Sequence, residues 1–187
     1  MRRLWRDSAK AVAHSSVFHS AGWILAFAED VECETLVDQF EAILPLAVNW
    51  ACEQELRILR DGSPLSSNQL ADARAAGVRE PERVRLLVVE EIPTPPDPVV
   101  SVASKKIASL PQTPRGLTLH YGIFVRSDCR QNRQIVVHEL VHTAQYERLG
   151  GTVAFLRDYL IECAAFGYQN APLEQEAEQI AAQICRA

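Results

Sequence analysis

The segment His138-Glu139-Leu140-Val141-His142 carries two imidazoles and one carboxylate at a spacing that suits a catalytic metal site. Residues four apart lie on the same face of an α-helix, because the helix has 3.6 residues per turn. His138 and His142 can therefore reach one ion, and this H-E-x-x-H spacing is typical of Zn²⁺. Glu139 then stands beside the open coordination position as the candidate general base.

The three polar side chains sit among apolar and uncharged residues, as a buried helix requires. These neighbours are Ile135, Val136, Val137, Leu140, Val141 and Ala144. Buried polar groups need partners, and the alternative interpretation is a core helix whose histidines bond to carbonyl groups. A zinc ion accounts for both histidines and the glutamate together, so the pattern favours a metal site.

A catalytic zinc ion usually has three protein ligands, so a third must lie elsewhere. The extended motif H-E-x-x-H-x-x-G-x-x-H is not present, because Gln145 and Arg148 stand at its glycine and third histidine. A cysteine ligand could come from Cys129 or Cys163. Cys129 lies near the start of the same helix, roughly two and a half turns before His138, so its reach is poor.

A second helix is predicted downstream, where Asn170 offers a cap and Pro172 follows at an early helical position. Its buried stripe is predicted to consist of Leu173, Ala177, Ile180, Ala181 and Ile184. Glu174 and Glu178, four residues apart, lie together along the border of this stripe, whereas Glu176 points to another side.

We predict Glu174 as the third metal ligand. Glu178 would accept a hydrogen bond from the non-ligating nitrogen of His138 or His142 and so fix the tautomer of that ring. Glu176 is the main alternative ligand, since a modest rotation of the helix would bring it inward. A solvated acidic face near a helix N-terminus is the other interpretation of these glutamates.

Two elements must position the metal motif. Asp128 followed by Gln131 predicts a capping box, and Gly150-Gly151 predicts a stop, which places the metal helix at about 129–149. The preceding segment 116–125 is rich in aromatic and β-branched residues and is punctuated by glycines, which predicts an extended strand leading into the helix.

The rest of the chain predicts supporting elements. Residues 32–60 are predicted to form a long helix with a kink at Pro45. A short capped helix is expected at 66–77 and a strand at 83–89. The proline-rich segment 92–98 is expected to be a stiff, extended connector.

Composition limits the organisation and the partners. A chain of 187 residues with 48% hydrophobic content is predicted to form one domain over 1–187. Residues 1–80 are expected to be mainly helical, and residues 81–187 are expected to contain the sheet and the metal-binding helices. The net charge of −5 argues against a nucleic-acid partner.

No membrane span is expected, because the clearest apolar run, 21–28, is far shorter than the roughly 20 residues that a bilayer requires. The basic N-terminus and Ala26-Phe27-Ala28 resemble parts of an export signal. Polar residues interrupt the segment before that site: His14, Ser15, Ser16, His19 and Ser20. Five cysteines, an odd number, suit reduced thiols, so a cytoplasmic location is predicted.

These motifs resemble the gluzincin clan of zinc metallopeptidases, which carry H-E-x-x-H on one helix and a glutamate ligand on a later one. The pattern Glu174-x-x-Ala177-Glu178 is similar to the clan's E-x-x-A-[DN] signature, with Glu178 in place of the usual aspartate. The resemblance is closest to small bacterial zinc peptidases of the minigluzincin type, through residues 138–146, 150–151, 155–159 and 168–177. It covers about residues 116–187.

The resemblance implies an α+β, zincin-like fold, in which a short twisted sheet packs on the metal helix and an edge strand, here 116–125, receives an extended peptide. It implies a peptidase acting on a peptide or protein substrate, in which zinc activates a water molecule and Glu139 takes the proton. Tyr168, His120 and Tyr121 are candidates for stabilising the oxyanion.

Three alternatives compete with the enzyme. They are a regulatory or binding protein that keeps zinc without turnover, a latent zincin whose cleft is covered by residues 1–30 or by the proline-rich segment, and a metal-free relative. An intact Glu139 favours the enzyme, because a structural zinc site prefers four protein ligands and needs no carboxylate beside an open position. The sequence does not predict the oligomeric state.

Overall fold

The computed structural model describes residues 31–95 and 113–186, with side chains from residue 42 onward. The chain divides into two compact units, Met1–Ala42 and Ile43–Ala187, and the candidate site lies in the second. The single-domain organisation over 1–187 therefore stays a prediction. The segment considered as an export signal or as a cover of the cleft lies outside the described residues, as does the proline-rich connector beyond residue 95.

The described chain is α+β, with five α-helices and a four-stranded mixed sheet. In chain order the elements are α1 (Val31–Asp61), β1 (Ser63–Pro64), α2 (Ser67–Ala75), β2 (Arg85–Val89), β3 (Gly116–Leu119), β4 (Gly122–Arg126), α3 (Arg133–Leu149), α4 (Thr152–Phe166) and α5 (Pro172–Arg186). Short 3₁₀ turns occupy Pro81–Arg83, Ser127–Cys129 and Tyr168–Asn170. No helix in the described ranges is long and apolar enough to cross a membrane.

The sheet has the strand order β1-β2-β4-β3. Strands β2 and β4 are parallel, with Leu87 opposite Phe124, whereas β3 pairs with β4 antiparallel, with Thr118 opposite Ile123. The segment 116–125, predicted as one strand, is thus a hairpin. The chain reverses at His120, whose φ of 57° lies in the left-handed region. As a result β3 is an edge strand of the described sheet and β4 is a central one.

Both faces of the central strand are buried. Ile123, Phe124 and Val125 are almost completely excluded from solvent. Successive side chains of a strand point to opposite faces. Phe124 accordingly packs with Ala51 and Ile58 of α1, while its two neighbours pack in the larger cluster that includes residues of α2, α3 and α5. The metal helix α3 is therefore held against one face of the sheet.

The start of α3 differs from the prediction. The helix begins at Arg133, and the side chain of Asn132 caps it by accepting a hydrogen bond from a backbone N–H three residues on. The predicted cap, Asp128, lies in a 3₁₀ turn, and its carboxylate pairs with Arg126 at 2.6 Å. Because that carboxylate is already engaged, Asn132 caps the helix instead. The predicted end is confirmed, since Gly150 adopts a φ of 99° at the C-cap.

Helices α1 and α2 follow their sequence signals closely, whereas β1 and α4 were not predicted. Helix α1 extends through Pro45, and Ser66 caps α2 in a capping box with Gln69. Strand β2 begins two residues later than predicted, at Arg85, because the preceding Pro81–Arg83 segment forms a 3₁₀ turn.

Candidate metal centre

His138, His142 and Glu174 form a cluster whose ligand atoms all lie within 4.8 Å of one another. The Nε2 atoms of the two histidines are 3.1 Å apart, and each lies 3.3 Å from a different carboxylate oxygen of Glu174. His142 and Glu174 are buried, and His138 is partly buried. Two imidazole nitrogens and one carboxylate oxygen thus converge, and this group can bind a metal ion.

Two helices bring the cluster together. His138 and His142 are one turn apart on α3, as their spacing predicted, and Glu174 lies in the first turn of α5. The fully buried Ala177 lies between these helices in the core, where its small side chain permits close approach. The predicted cap, Asn170, lies in the preceding 3₁₀ turn, and a carboxylate oxygen of Glu162 instead accepts the N–H of Leu173 at 2.8 Å.

Glu174 is held as a carboxylate although it is buried. Burial by itself raises its pKa, but hydrogen bonds with His138 and His142 lower the pKa well below its usual range. The hydroxyl of Tyr159 donates a further hydrogen bond to Oε1 at 2.5 Å. In the described part of the chain, the ion pairs of Glu174 are with these two histidines and not with an arginine.

The pKa of His142 is shifted in the opposite direction to that of Glu174. Burial by itself lowers the pKa of His142, but the hydrogen bond and charge of Glu174 raise it above the usual 6.5. A proton on the imidazole and a metal ion at the cluster would each neutralise the same buried carboxylate. The cluster is therefore suited to hold a cation, and its donors are those that Zn²⁺ takes.

Glu176, the alternative third ligand, lies outside the cluster. Its carboxylate receives hydrogen bonds from both terminal nitrogens of Arg148, at 2.7 and 2.6 Å, and from Nε2 of Gln145 at 2.9 Å. The hydrogen bonds with Arg148 lower the pKa of Glu176. The orientation of α5 therefore places Glu174 in the cluster and Glu176 in an ion pair beside it.

Gln145 is a site residue that the sequence argument missed. It is almost fully buried, and its Oε1 lies 2.7 Å from Nδ1 of His142. The available signal was its position three residues after His142, which places the two side chains on the same helical face.

Glu178 lies beside His138, as predicted, but at a longer distance than a hydrogen bond. Its Oε2 is 3.6 Å from Nδ1 of His138, and its Oε1 accepts a hydrogen bond from Gln134 at 3.2 Å. The Glu178 side chain is 62% exposed. The described structure therefore places a carboxylate next to the non-ligating nitrogen of His138 without a direct hydrogen bond.

Glu139, the candidate base, is fixed by the edge strand β3. The hydroxyl of Thr118 lies 2.7 Å from Oε2 of Glu139 and 2.9 Å from its backbone oxygen. A Cβ at Gly116 would lie 2.6 Å from Cδ of Glu139, so a side chain at position 116 would displace this carboxylate. The strand and the metal helix thus determine the position of Glu139 together.

A cleft of about 350 Å³ lies beside Glu139. Its lining residues include His138, Glu139, Gly116, Tyr168 and Glu178. Burial raises the pKa of Tyr168, as do the nearby charges of Glu174 and Glu139, so its phenol stays protonated and can donate.

Tyr168 is the one residue among the three oxyanion candidates that lines this cleft. The hydroxyl of Tyr121 instead lies 3.0 Å from Glu147, and burial together with that carboxylate raises its pKa to about 12. His120 pairs with Glu55 through Nδ1 at 3.3 Å. Neither side chain lines the cleft.

Comparisons with protein-family models, with curated proteins and with solved structures found no match for this chain. Functional inference therefore rests on the residues and geometry of the chain itself.

Proposed function

We propose that this protein is a zinc-dependent hydrolase of the gluzincin type that cleaves peptide bonds. The observation that carries the proposal is the convergence of His138, His142 and Glu174, together with Glu139 on the wall of the adjoining cleft. Two nitrogen donors and one oxygen donor are the protein ligands of a common class of catalytic zinc sites.

The number of ligands favours catalysis over a structural role. A structural zinc site usually has four protein ligands, whereas a catalytic site has three and an open position. Among the described residues, three side chains form the candidate group. One of the three, His138, lines the adjoining cleft together with Glu139, so a substrate bound there would approach the cluster from the side of His138.

The chain's own groups supply the steps that such a reaction needs. Zinc, when bound, would lower the pKa of a water molecule and polarise the scissile carbonyl. Glu139 is the base that takes the proton from the attacking water, and the hydroxyl of Thr118, 2.7 Å from Oε2, holds this carboxylate in place. The protonated phenol of Tyr168 lies in the same cleft and can donate to the developing oxyanion.

A peptide is the substrate class that this cleft suits best. Strand β3 is an edge of the described sheet and borders the cleft through Gly116. An extended peptide can pair with the main chain of such an edge, which gives affinity with little dependence on side chains. A metal helix packed on a sheet with this edge strand is the arrangement that we propose to be zincin-like.

The first experiment measures zinc content after identical dialysis of the wild type, Glu174→Gln and Glu176→Gln. We expect one zinc ion per chain in the wild type, loss of zinc in Glu174→Gln and retention in Glu176→Gln, because only Glu174 lies in the cluster. A wild type that retains no zinc would refute the metal site and the enzyme with it.

The second experiment measures cleavage of an internally quenched peptide library by zinc-loaded protein, with Glu139→Gln as control. We expect the control to keep its zinc and lose turnover on the order of 100-fold or more, as removal of a general base does. Zinc-loaded wild type without turnover would favour a regulatory or binding protein. Equal turnover in the control would exclude Glu139 as the base.

A further inference from the structure

We propose that Gln145 is a positioning residue, which fixes His142 in the tautomer that presents Nε2 to the metal and joins that ring to the helix carrying Glu174. This inference rests on the proposed metal site, but not on turnover. It assigns a role to a buried polar side chain that contacts one ligand directly and the neighbour of another.

The hydrogen bonds of the Gln145 amide determine its orientation. Its Nε2 lies 2.9 Å from the backbone oxygen of Leu173 and 2.9 Å from a carboxylate oxygen of Glu176. Both partners can only accept hydrogen bonds, so the NH₂ end of the amide must face them. Its Oε1 therefore faces Nδ1 of His142, at 2.7 Å.

This orientation determines the tautomer of His142. An amide oxygen accepts hydrogen bonds only, so Nδ1 of His142 must carry a proton. In the neutral ring the lone pair then lies on Nε2, the atom that is 3.3 Å from Glu174 and 3.1 Å from Nε2 of His138. Gln145 thus prepares this ring to bind a metal through Nε2.

Glu176, one of the two acceptors for the Gln145 amide, is itself bound by Arg148. Arg148 binds Glu176 through two hydrogen bonds, at 2.7 and 2.6 Å, and this ion pair holds the Glu176 carboxylate beside the Gln145 amide. The other acceptor, the oxygen of Leu173, immediately precedes Glu174 in the chain. Gln145 therefore connects α3 to the first turn of α5 and relates the positions of two ligands.

His138 lacks an equivalent contact within the described structure. Its Nδ1 is 3.6 Å from Glu178, a side chain that is mostly exposed. Loss of the Glu178 carboxylate should therefore disturb the site much less than loss of the Gln145 amide. This difference supplies a matched control for the experiment.

The experiment measures zinc affinity by chelator competition in the wild type, Gln145→Met and Glu178→Gln. Methionine has nearly the length of glutamine but cannot accept the Nδ1 proton of His142. Loss of a hydrogen-bond partner of a metal-bound histidine lowers affinity about 10–100-fold, and we expect this range for Gln145→Met. For Glu178→Gln we expect a change of less than about threefold. Unchanged affinity in folded Gln145→Met would overturn the inference, even where wild-type zinc binding supports the proposed function.

A second measurement does not require a variant. Long-range ¹H–¹⁵N NMR spectra of the zinc-loaded wild type report which nitrogen of each histidine carries the proton. We expect the proton of His142 on Nδ1 and zinc on Nε2, an assignment that a merely structural glutamine would not determine. Zinc on Nδ1 of His142 would overturn the inference and leave the proposed metal site intact. A wild type without zinc would refute both.

Discussion

Gly116 of β3 packs directly against the carboxylate of Glu139, and Gly116→Ala tests whether this contact fixes the candidate base. A Cβ at position 116 would lie 2.6 Å from Cδ and 2.7 Å from Cγ of Glu139. Oε1 of Glu139 would lie closer still. Ordinary contact needs about 3.4 Å, so Glu139 must move by at least about 0.8 Å, the difference between 3.4 Å and the 2.6 Å to Cδ. Such a movement would lengthen the 2.7 Å hydrogen bond between Thr118 and Oε2 beyond useful range.

Two effects set the size of the destabilisation. Overpacking of a buried contact costs about 1–3 kcal/mol, and loss of a hydrogen bond to a charged group costs about 1.5–3 kcal/mol. Replacing a glycine in a compatible conformation recovers about 0.4–1 kcal/mol, because the unfolded chain becomes less flexible. We therefore expect Gly116→Ala to lower the free energy of unfolding by about 3 kcal/mol.

The assay is a double-mutant cycle in the metal-free protein, measured by urea unfolding. Gly116→Ala is introduced into the wild type and into Glu139→Ala, which removes the side chain that the new methyl group would strike. We expect the cost of about 3 kcal/mol to disappear in the second background. An equal cost in both backgrounds would refute the contact between Gly116 and Glu139 as its cause.

Gly122→Ala is the matched control for this cycle. It lies at the start of the neighbouring strand β4, and its Cβ would lie 3.0 Å from two carbons of Ile58 rather than near Glu139. We expect Gly122→Ala to lower the free energy of unfolding through overpacking against Ile58, by the same amount in the wild type and in Glu139→Ala. Dependence of that cost on Glu139 would show that the cycle reports general loosening of the sheet.

Two further predictions concern pH and packing. The pKa of His142 is raised in the fold, so its protonation stabilises the metal-free protein below pH 6.5, and this contribution is lost as pH rises through the raised pKa. The pKa of Glu174 is lowered in the fold, so its ionisation stabilises the protein above pH 4.5, and this contribution is lost as pH falls through the lowered pKa. Urea unfolding with a chelator should therefore show greater stability at about pH 5.5 than at about pH 8.5. Glu174→Gln should reduce this difference. Zinc affinity should instead rise with pH, because His142 must lose its proton to bind the metal. The side chain of Phe155 is 4% exposed, and its ring centroid lies 3.8 Å from that of Tyr146. Phe155→Ala should therefore lower the free energy of unfolding by about 3–5 kcal/mol. The side chain of Phe166 is 42% exposed, so Phe166→Ala should change the free energy of unfolding by less than about 1 kcal/mol. Similar costs for these two phenylalanines would contradict the assigned packing.

The sequence predicted four of the five described helices, because their signals are local, and it did not predict α4. The spacing of His138 and His142 places both on one helical face whatever surrounds the helix, and Gly150 ends it in a conformation that glycine adopts without strain. Prediction of the helix start was wrong, since Asp128 and Asn132 are both good caps. In the structure Asp128 lies in a 3₁₀ turn and pairs with Arg126, and the helix begins after Asn132.

The third position of the cluster needed both kinds of information. Helical periodicity placed Glu174 and Glu178 on one border of α5, but Glu176 remained an alternative because periodicity does not specify rotation about the helix axis. The packing of α5 against α3 determines that rotation. It directs Glu174 to the histidines and leaves Glu176 to Arg148.

By itself, the sequence identified His138 and His142 as candidate metal ligands, the helices that carry the candidate site and the candidate base Glu139, because these depend on residue type and on spacing within one element. Only the tertiary structure decided that Thr118 and Gly116 fix Glu139, and that Gln145 orients His142 and contacts the helix of Glu174. Apart from the contact between Gln145 and His142, which are three residues apart on α3, these contacts join residues far apart in the chain, so they depend on how the strand and the helices pack together.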